Sequence, residues 1–107
     1  MRVSTPNYIM AKLKIPYNKP RLEAIWASIF VDVPLTQETS VKETYRDEVN
    51  LRLDFLATSA VPNRIGTARV DFFWNLDDLN STDDDTLFNL LRSRVIEVCP
   101  YVARFLV

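Results

Sequence analysis

Alternating apolar and polar positions recur three times along the chain, and each run predicts a strand. In residues 8–15, Ile9, Ala11, Leu13 and Ile15 point one way and Tyr8, Met10, Lys12 and Lys14 the other. Such a period of two marks a half-buried strand, here ended by Pro16. Residues 49–57 give the strongest run, with Val49, Leu51, Leu53, Phe55 and Ala57 set against Asn50, Arg52 and Asp54. Residues 67–76 place Ala68, Val70, Phe72, Trp74 and Leu76 on one face and Thr67, Arg69, Asp71, Phe73 and Asn75 on the other. The connection from Ser59 to Arg64 is short and rich in turn formers, so the last two strands are expected to pair as an antiparallel hairpin.

Residues 20–33 fit two periods. Pro20 suits a first helical turn, and Leu22, Ile25, Trp26, Ile29 and Val33 lie on a helical stripe. From Ile25 to Val33 the segment also alternates and ends in β-branched and aromatic residues, as a strand does. Helix is the preferred reading. The polar stretch 36–47 reads as a loop or as the frayed start of the strand that follows.

The clearest helix lies near the C-terminus. Ser81 or Thr82 is the expected cap, Asp83, Asp84 and Asp85 complement the positive end of the helix dipole, and Leu87, Phe88, Leu91, Val95 and Val98 form the buried stripe. Pro100 disfavours a helical Cys99, so the helix should break there. A second short helix or an extended tail then carries Tyr101, Val102, Phe105, Leu106 and Val107. The fold class expected is α+β, an antiparallel sheet of three to four strands followed by C-terminal helices, in a single domain spanning 1–107.

Composition narrows the functional classes. The 107 residues are 48% hydrophobic and 25% charged, the balance of an ordinary globular chain. Five cations (Arg2, Lys12, Lys14, Lys19, Arg21) stand against Glu23 in residues 1–30, but they are scattered and the net charge is −1. Nucleic-acid binding, which needs a concentrated positive field, is not expected. Residues 1–17 hold no continuous apolar stretch of the signal-peptide kind, and no apolar run nears the ~20 residues of a membrane span. The chain reads as cytoplasmic.

Candidate chemistry is sparse. There is no histidine, which removes the commonest general base and zinc ligand. The single cysteine, Cys99, permits no intramolecular disulfide and reads as a core residue. The aspartates of 77–85 lack the ligand spacing and turn glycine of a calcium loop, and read as a turn plus a negative helix N-terminus. No phosphate loop, dinucleotide fingerprint or nucleophile elbow occurs. We expect no enzyme activity, cofactor or metal.

Phe73 stands apart, as an aromatic on the polar side of its strand. Either helices cover that face or Phe73 belongs to a binding surface; helix cover is expected, although Arg69 and Asp71 on the same face suit a wetter one. Phe73, with Tyr101 and Phe105 of the C-terminal segment, are the candidate partner-binding residues.

Residues 49–107 resemble the C-terminal half of the SecB-like chaperones. The hairpin of Val49–Ala57 and Ala68–Leu76, the acidic lead Asp77–Asp85, the helix Leu87–Val98 and the junction Cys99-Pro100-Tyr101-Val102-Ala103-Arg104 carry the resemblance. The family's separate Cys-Pro and Phe-Pro-Tyr elements are here collapsed into one. The resemblance implies a homo-oligomer with shallow apolar grooves, acting without nucleotide as a holdase for unfolded polypeptide or for one dedicated protein partner. The alternative is a small viral or phage protein that acts by protein–protein interaction, in assembly or as an inhibitor of a host factor. The apolar Phe105-Leu106-Val107 is expected to be buried in such an oligomer.

Overall fold

Helix α1 spans Lys19–Ile29 and resolves the ambiguous segment. Asn18 caps it, its side chain accepting from the Arg21 N–H at 3.1 Å, and Pro20 lies in the first turn where no N–H is needed. Leu22, Ile25, Trp26 and Ile29 are all buried, whereas Val31, which a strand would have turned inward, is 77% exposed. The helical period is the one that buries the apolar residues together. The computed structural model describes residues 15–33, 37–59 and 67–106. The strand expected over 8–15 lies outside these, Ile15 excepted, as does the 60–66 connection.

Three strands follow, β1 Gln37–Arg46, β2 Asn50–Ser59 and β3 Ala68–Asn75, in an antiparallel sheet of order β1-β2-β3. The expected hairpin is β2–β3, with Leu53 opposite Phe72 and Phe55 opposite Val70. The stretch 36–47, expected as a loop or as the frayed start of the next strand, instead holds the separate strand β1 over Gln37–Arg46. Its one buried apolar residue is Val41, so hydrophobic pattern could not reveal it. The ladder to β2 supplies what the pattern lacks, and Thr39, Val41, Thr44 and Tyr45 are residue types that favour a strand.

Helix α2, Leu76–Ser81, leaves β3 directly, and α3, Asp84–Val98, follows after Thr82 and Asp83. The acidic run therefore serves two helix starts, where one was expected. The Asn75 side chain accepts from the Asp77 and Asp78 N–H groups, and Asp83 accepts from Thr86 N–H at 2.8 Å. Ser81 and Thr82 are not the caps expected of them. Their hydroxyls donate back to the Asp77 and Asp78 carbonyls at the end of α2. Helix α3 ends at Val98, before Cys99 and Pro100 as expected, and the short α4, Pro100–Ala103, follows.

Helix α1 packs against β1 and α3, and α3 also packs against β3, so both helices lie on one face of the sheet. Between the layers Leu51, Leu53, Phe55, Ala57, Ala68 and Val70 meet Leu22, Trp26, Leu87, Leu91 and Val95, all buried. Phe72 and Trp74 point to this side and stack at 4.9 Å, yet they are only partly buried, as is Cys99. Val98, expected in the stripe of α3, is exposed. Three strands with helices on one face make an α+β fold.

Candidate functional site

The opposite face of the sheet carries no covering element among the described residues. Helix cover of Phe73 is thus the expectation that the structure overturns: the residue is 53% exposed. The physical reason lies in the partition of apolar residues. Both helices follow Leu51, Leu53, Phe55 and Val70, while the other face offers Ser40, Lys42, Asp54, Arg69 and Asp71, whose polar groups would go unsatisfied beneath a helix.

Phe73 is not alone there. Across the sheet, Tyr45 on β1 pairs with Arg52 on β2, and Arg52 with Phe73 on β3, making one row of three side chains. The Tyr45 and Phe73 rings lie 6.0 Å apart, tilted by 32°, and the Arg52 guanidinium sits 5.5 Å from the Phe73 centroid. Tyr45 is 48% exposed. The three side chains line a shallow cavity of about 280 Å³.

A bulge creates this row. Glu43 pairs with Leu53, but the next pair is Tyr45 with Arg52, so Thr44 and Tyr45 together face one residue of β2. In an unbroken ladder Thr44 would oppose Arg52 and Tyr45 would oppose Leu51, on the helix-covered face. One extra residue moves the tyrosine to the open face beside Phe73. The Thr44 hydroxyl donates to the Arg52 carbonyl within the bulge at 3.3 Å.

The β1–β2 turn then holds the ring. Asp47 Oδ1 accepts from the Val49 and Asn50 N–H groups at 2.9 and 2.7 Å, and its Oδ2 accepts from the Tyr45 hydroxyl at 2.8 Å. The two backbone donors, and then the Tyr45 hydroxyl, hold the Asp47 carboxyl below its ordinary value. The same hydrogen bond raises the Tyr45 phenol. A carboxylate with a lowered folded pKa stabilises the turn fully above the unfolded value, and that contribution is lost as pH falls through the lowered one. The Tyr45 ring and the Val49 and Asn50 amides are therefore expected to titrate together in NMR spectra, with a midpoint below the ordinary aspartate range. A midpoint at or above that range would contradict the hydrogen bonding described.

A second, larger cavity of about 510 Å³ is lined by Pro16, Tyr17, Asn18, Arg21 and Asn80. Its polar groups bind one another. Arg21 Nε meets Asp84 Oδ1 at 2.6 Å and its Nη2 donates to the Thr82 carbonyl, while Asn80 donates to the Pro16 carbonyl at 2.8 Å. The Tyr17 hydroxyl donates to Glu43 at 3.0 Å, and burial followed by that hydrogen bond pushes its pKa up to about 12. This cluster clamps the start of α1 to the α2–α3 junction and to β1, and the donors named are engaged within it.

Of the three residues picked from sequence, Phe73 lies on the open face. Phe105 is partly buried against the core, with the Arg104 guanidinium over its ring, and so does not join Phe73. The side chain of Tyr101 lies outside the described residues. Tyr45 and Arg52 were missed: only the bulge brings Tyr45 beside Phe73, whereas Arg52 stands opposite Phe73 through the regular β2–β3 register. Among the described residues no group of three or more Cys, Asp or Glu is placed to hold a metal ion, and no helix is long and apolar enough to cross a membrane. Compared with known proteins, the chain matches no family model, no curated protein and no solved structure.

Proposed function

We propose that this chain is a protein-binding domain, not an enzyme, that engages one dedicated partner through the row Tyr45–Arg52–Phe73. The observation that carries the reading is an exposed aromatic pair flanked by a guanidinium, set in a sheet face whose one other large apolar residue among those described is the half-buried Leu56. Tyr, Phe and Arg are enriched at protein interfaces, and binding energy there concentrates in a few such side chains. Large aromatics left in water on a face that gives them no core to fill are best accounted for by a partner.

A polypeptide-binding role is also what the resemblance to SecB-like chaperones implies. The composition of the face favours a dedicated partner over general holding of unfolded chains. Beyond the aromatic row the face presents Glu38, Ser40, Lys42, Asp54, Arg69 and Asp71 with the half-buried Leu56 among them, and Arg69 is paired with Asp54 at 2.9 Å. A holdase needs a long apolar track that accepts many sequences, and this face offers a short one.

Phe73→Ala is the test. Truncation of an exposed aromatic anchor should weaken partner capture by about 2 kcal/mol or more, roughly 30-fold, while the urea midpoint stays near wild type. Quantitative affinity capture from host lysate, wild type against Phe73→Ala at equal concentration, reads the first quantity. Identical capture profiles would exclude this face as the site. Suppression of aggregation of several unrelated unfolded proteins, unchanged by Phe73→Ala, would point to a holdase acting elsewhere on the molecule.

A further inference from the structure

The Tyr45–Arg52–Phe73 row carries information about what it receives, and this inference rests on the partner-binding reading above. We propose that its occupant is a short acidic–apolar peptide segment, in which an apolar side chain lies on the Tyr45–Phe73 ledge and an adjacent carboxylate takes the Arg52 guanidinium.

Charge argues for the carboxylate. Two arginines stand on the open face. Arg69 is bonded to Asp54, Nε to Oδ1 and Nη2 to Oδ2, both at 2.9 Å. Arg52 has one ionic contact among the described residues, to Asp71 at 4.0 Å, and its side chain is 50% exposed. That distance is outside hydrogen-bond range, so the guanidinium fork is still open to a bidentate acceptor. Its position over the Phe73 ring holds the group at the wall of the cavity and lowers the entropy lost on binding. A cationic side chain on the same ledge would meet Arg52 and be repelled.

Area argues for a short segment over a second copy of the chain. Strands lie ~4.8 Å apart and rise ~3.3 Å per residue, so an open face of three strands with eight residues in β3 presents on the order of 400 Å². A stable interface of standard size buries about 800 Å² on each partner. The aromatic row occupies only part of the face, and a cavity of about 280 Å³ takes one or two side chains. The anions nearby are Asp71, which competes for Arg52, Asp54, engaged by Arg69, and Asp47, engaged by the Tyr45 hydroxyl. Removing the competitor should therefore strengthen binding.

The experiment titrates the ¹⁵N-labelled full chain with four ten-residue peptides. They carry Leu-Phe-Glu, Leu-Phe-Gln, Leu-Phe-Lys or Ser-Ser-Glu between Gly-Ser flanks. Saturable shifts of the Arg52 Nε–H and the Phe73 amide are expected with the Leu-Phe-Glu peptide. Binding should fall at least fivefold with Gln and further with Lys, and Ser-Ser-Glu should not bind. Arg52→Gln should erase the difference between the Glu and Gln peptides, and Asp71→Asn should tighten the Glu peptide several-fold. Equal binding of the Lys and Glu peptides would overturn the inference, as would the same shifts appearing on concentrating the protein alone, which would place a second copy on the face. Absence of peptide binding at several millimolar, with capture still lost in Phe73→Ala, would overturn it and leave the partner-binding reading standing. Capture unchanged in Phe73→Ala would remove both.

Discussion

Trp26→Ala is expected to cost about 3–5 kcal/mol of unfolding free energy, the range for truncating a fully buried large aromatic. Trp26 is completely inaccessible. Its ring meets Phe30 edge-on at 4.8 Å and Phe55 at 5.4 Å, and its Nε1–H donates to the Leu56 carbonyl at 2.9 Å. It thus fastens α1 to the middle strand by packing and by a hydrogen bond together. A small domain has about 5–15 kcal/mol in total, so the alanine variant stands near the limit of folding. Trp26→Phe is the measurable companion. It retains most of the ring packing but removes the donor, and should cost roughly 1–3 kcal/mol. Urea denaturation followed by circular dichroism reads both. A shift below 1 kcal/mol for Trp26→Ala would mean that α1 does not dock on the sheet as described.

Phe55→Ala should be comparably severe, again about 3–5 kcal/mol, for a different reason. Phe55 lies on the central strand with no exposed surface, and its ring touches Trp26, Phe72 and Trp74, the last at 5.8 Å. Removing it leaves a cavity with aromatic walls supplied by both layers, which cannot collapse without moving α1 and β3 at once. Phe72→Ala and Trp74→Ala delete side chains that are only partly buried, and each should cost less than Phe55→Ala. Because Trp26 and Phe55 are in contact, Trp26→Phe combined with Phe55→Leu should depart from additivity by about 0.5–3 kcal/mol. Strict additivity, or equal losses for Phe55 and Phe72, would place the centre of the core elsewhere.

Neither lesion bears directly on the open face, and that separation makes the proposed site testable. Phe73 differs from Phe72 by one position and from Phe55 by one strand, yet it should report on binding alone. Stability data for the three variants therefore calibrate any loss of capture seen with Phe73→Ala.

Strands β2 and β3 and helix α3 are legible in the amino-acid sequence because each buries one face. Leu51, Leu53, Phe55 and Ala57 repeat every second residue, and Leu87, Leu91 and Val95 every fourth, so burial writes its own period. The break at Cys99 is equally local, since Pro100 imposes it. Placing Phe73 on the polar side of β3 also needs only the alternation of its neighbours. The tertiary structure alone decides the rest. Residues 20–33 satisfy two periods, and docking of Trp26 against Phe55 and Leu56 selects the helix. Among its described side chains strand β1 buries Val41 alone, and it owes its form to the ladder offered by β2. The caps fall on Asn75 and Asp83 because the chain divides into two helices there, where Ser81 and Thr82 offer equally suitable side chains. The row Tyr45–Arg52–Phe73 is the clearest case. A bulge adds one residue and leaves no hydrophobic signature, yet it reverses the face of every residue beyond it, and so whether Tyr45 lies in the core layer or beside Phe73 is a property of strand pairing.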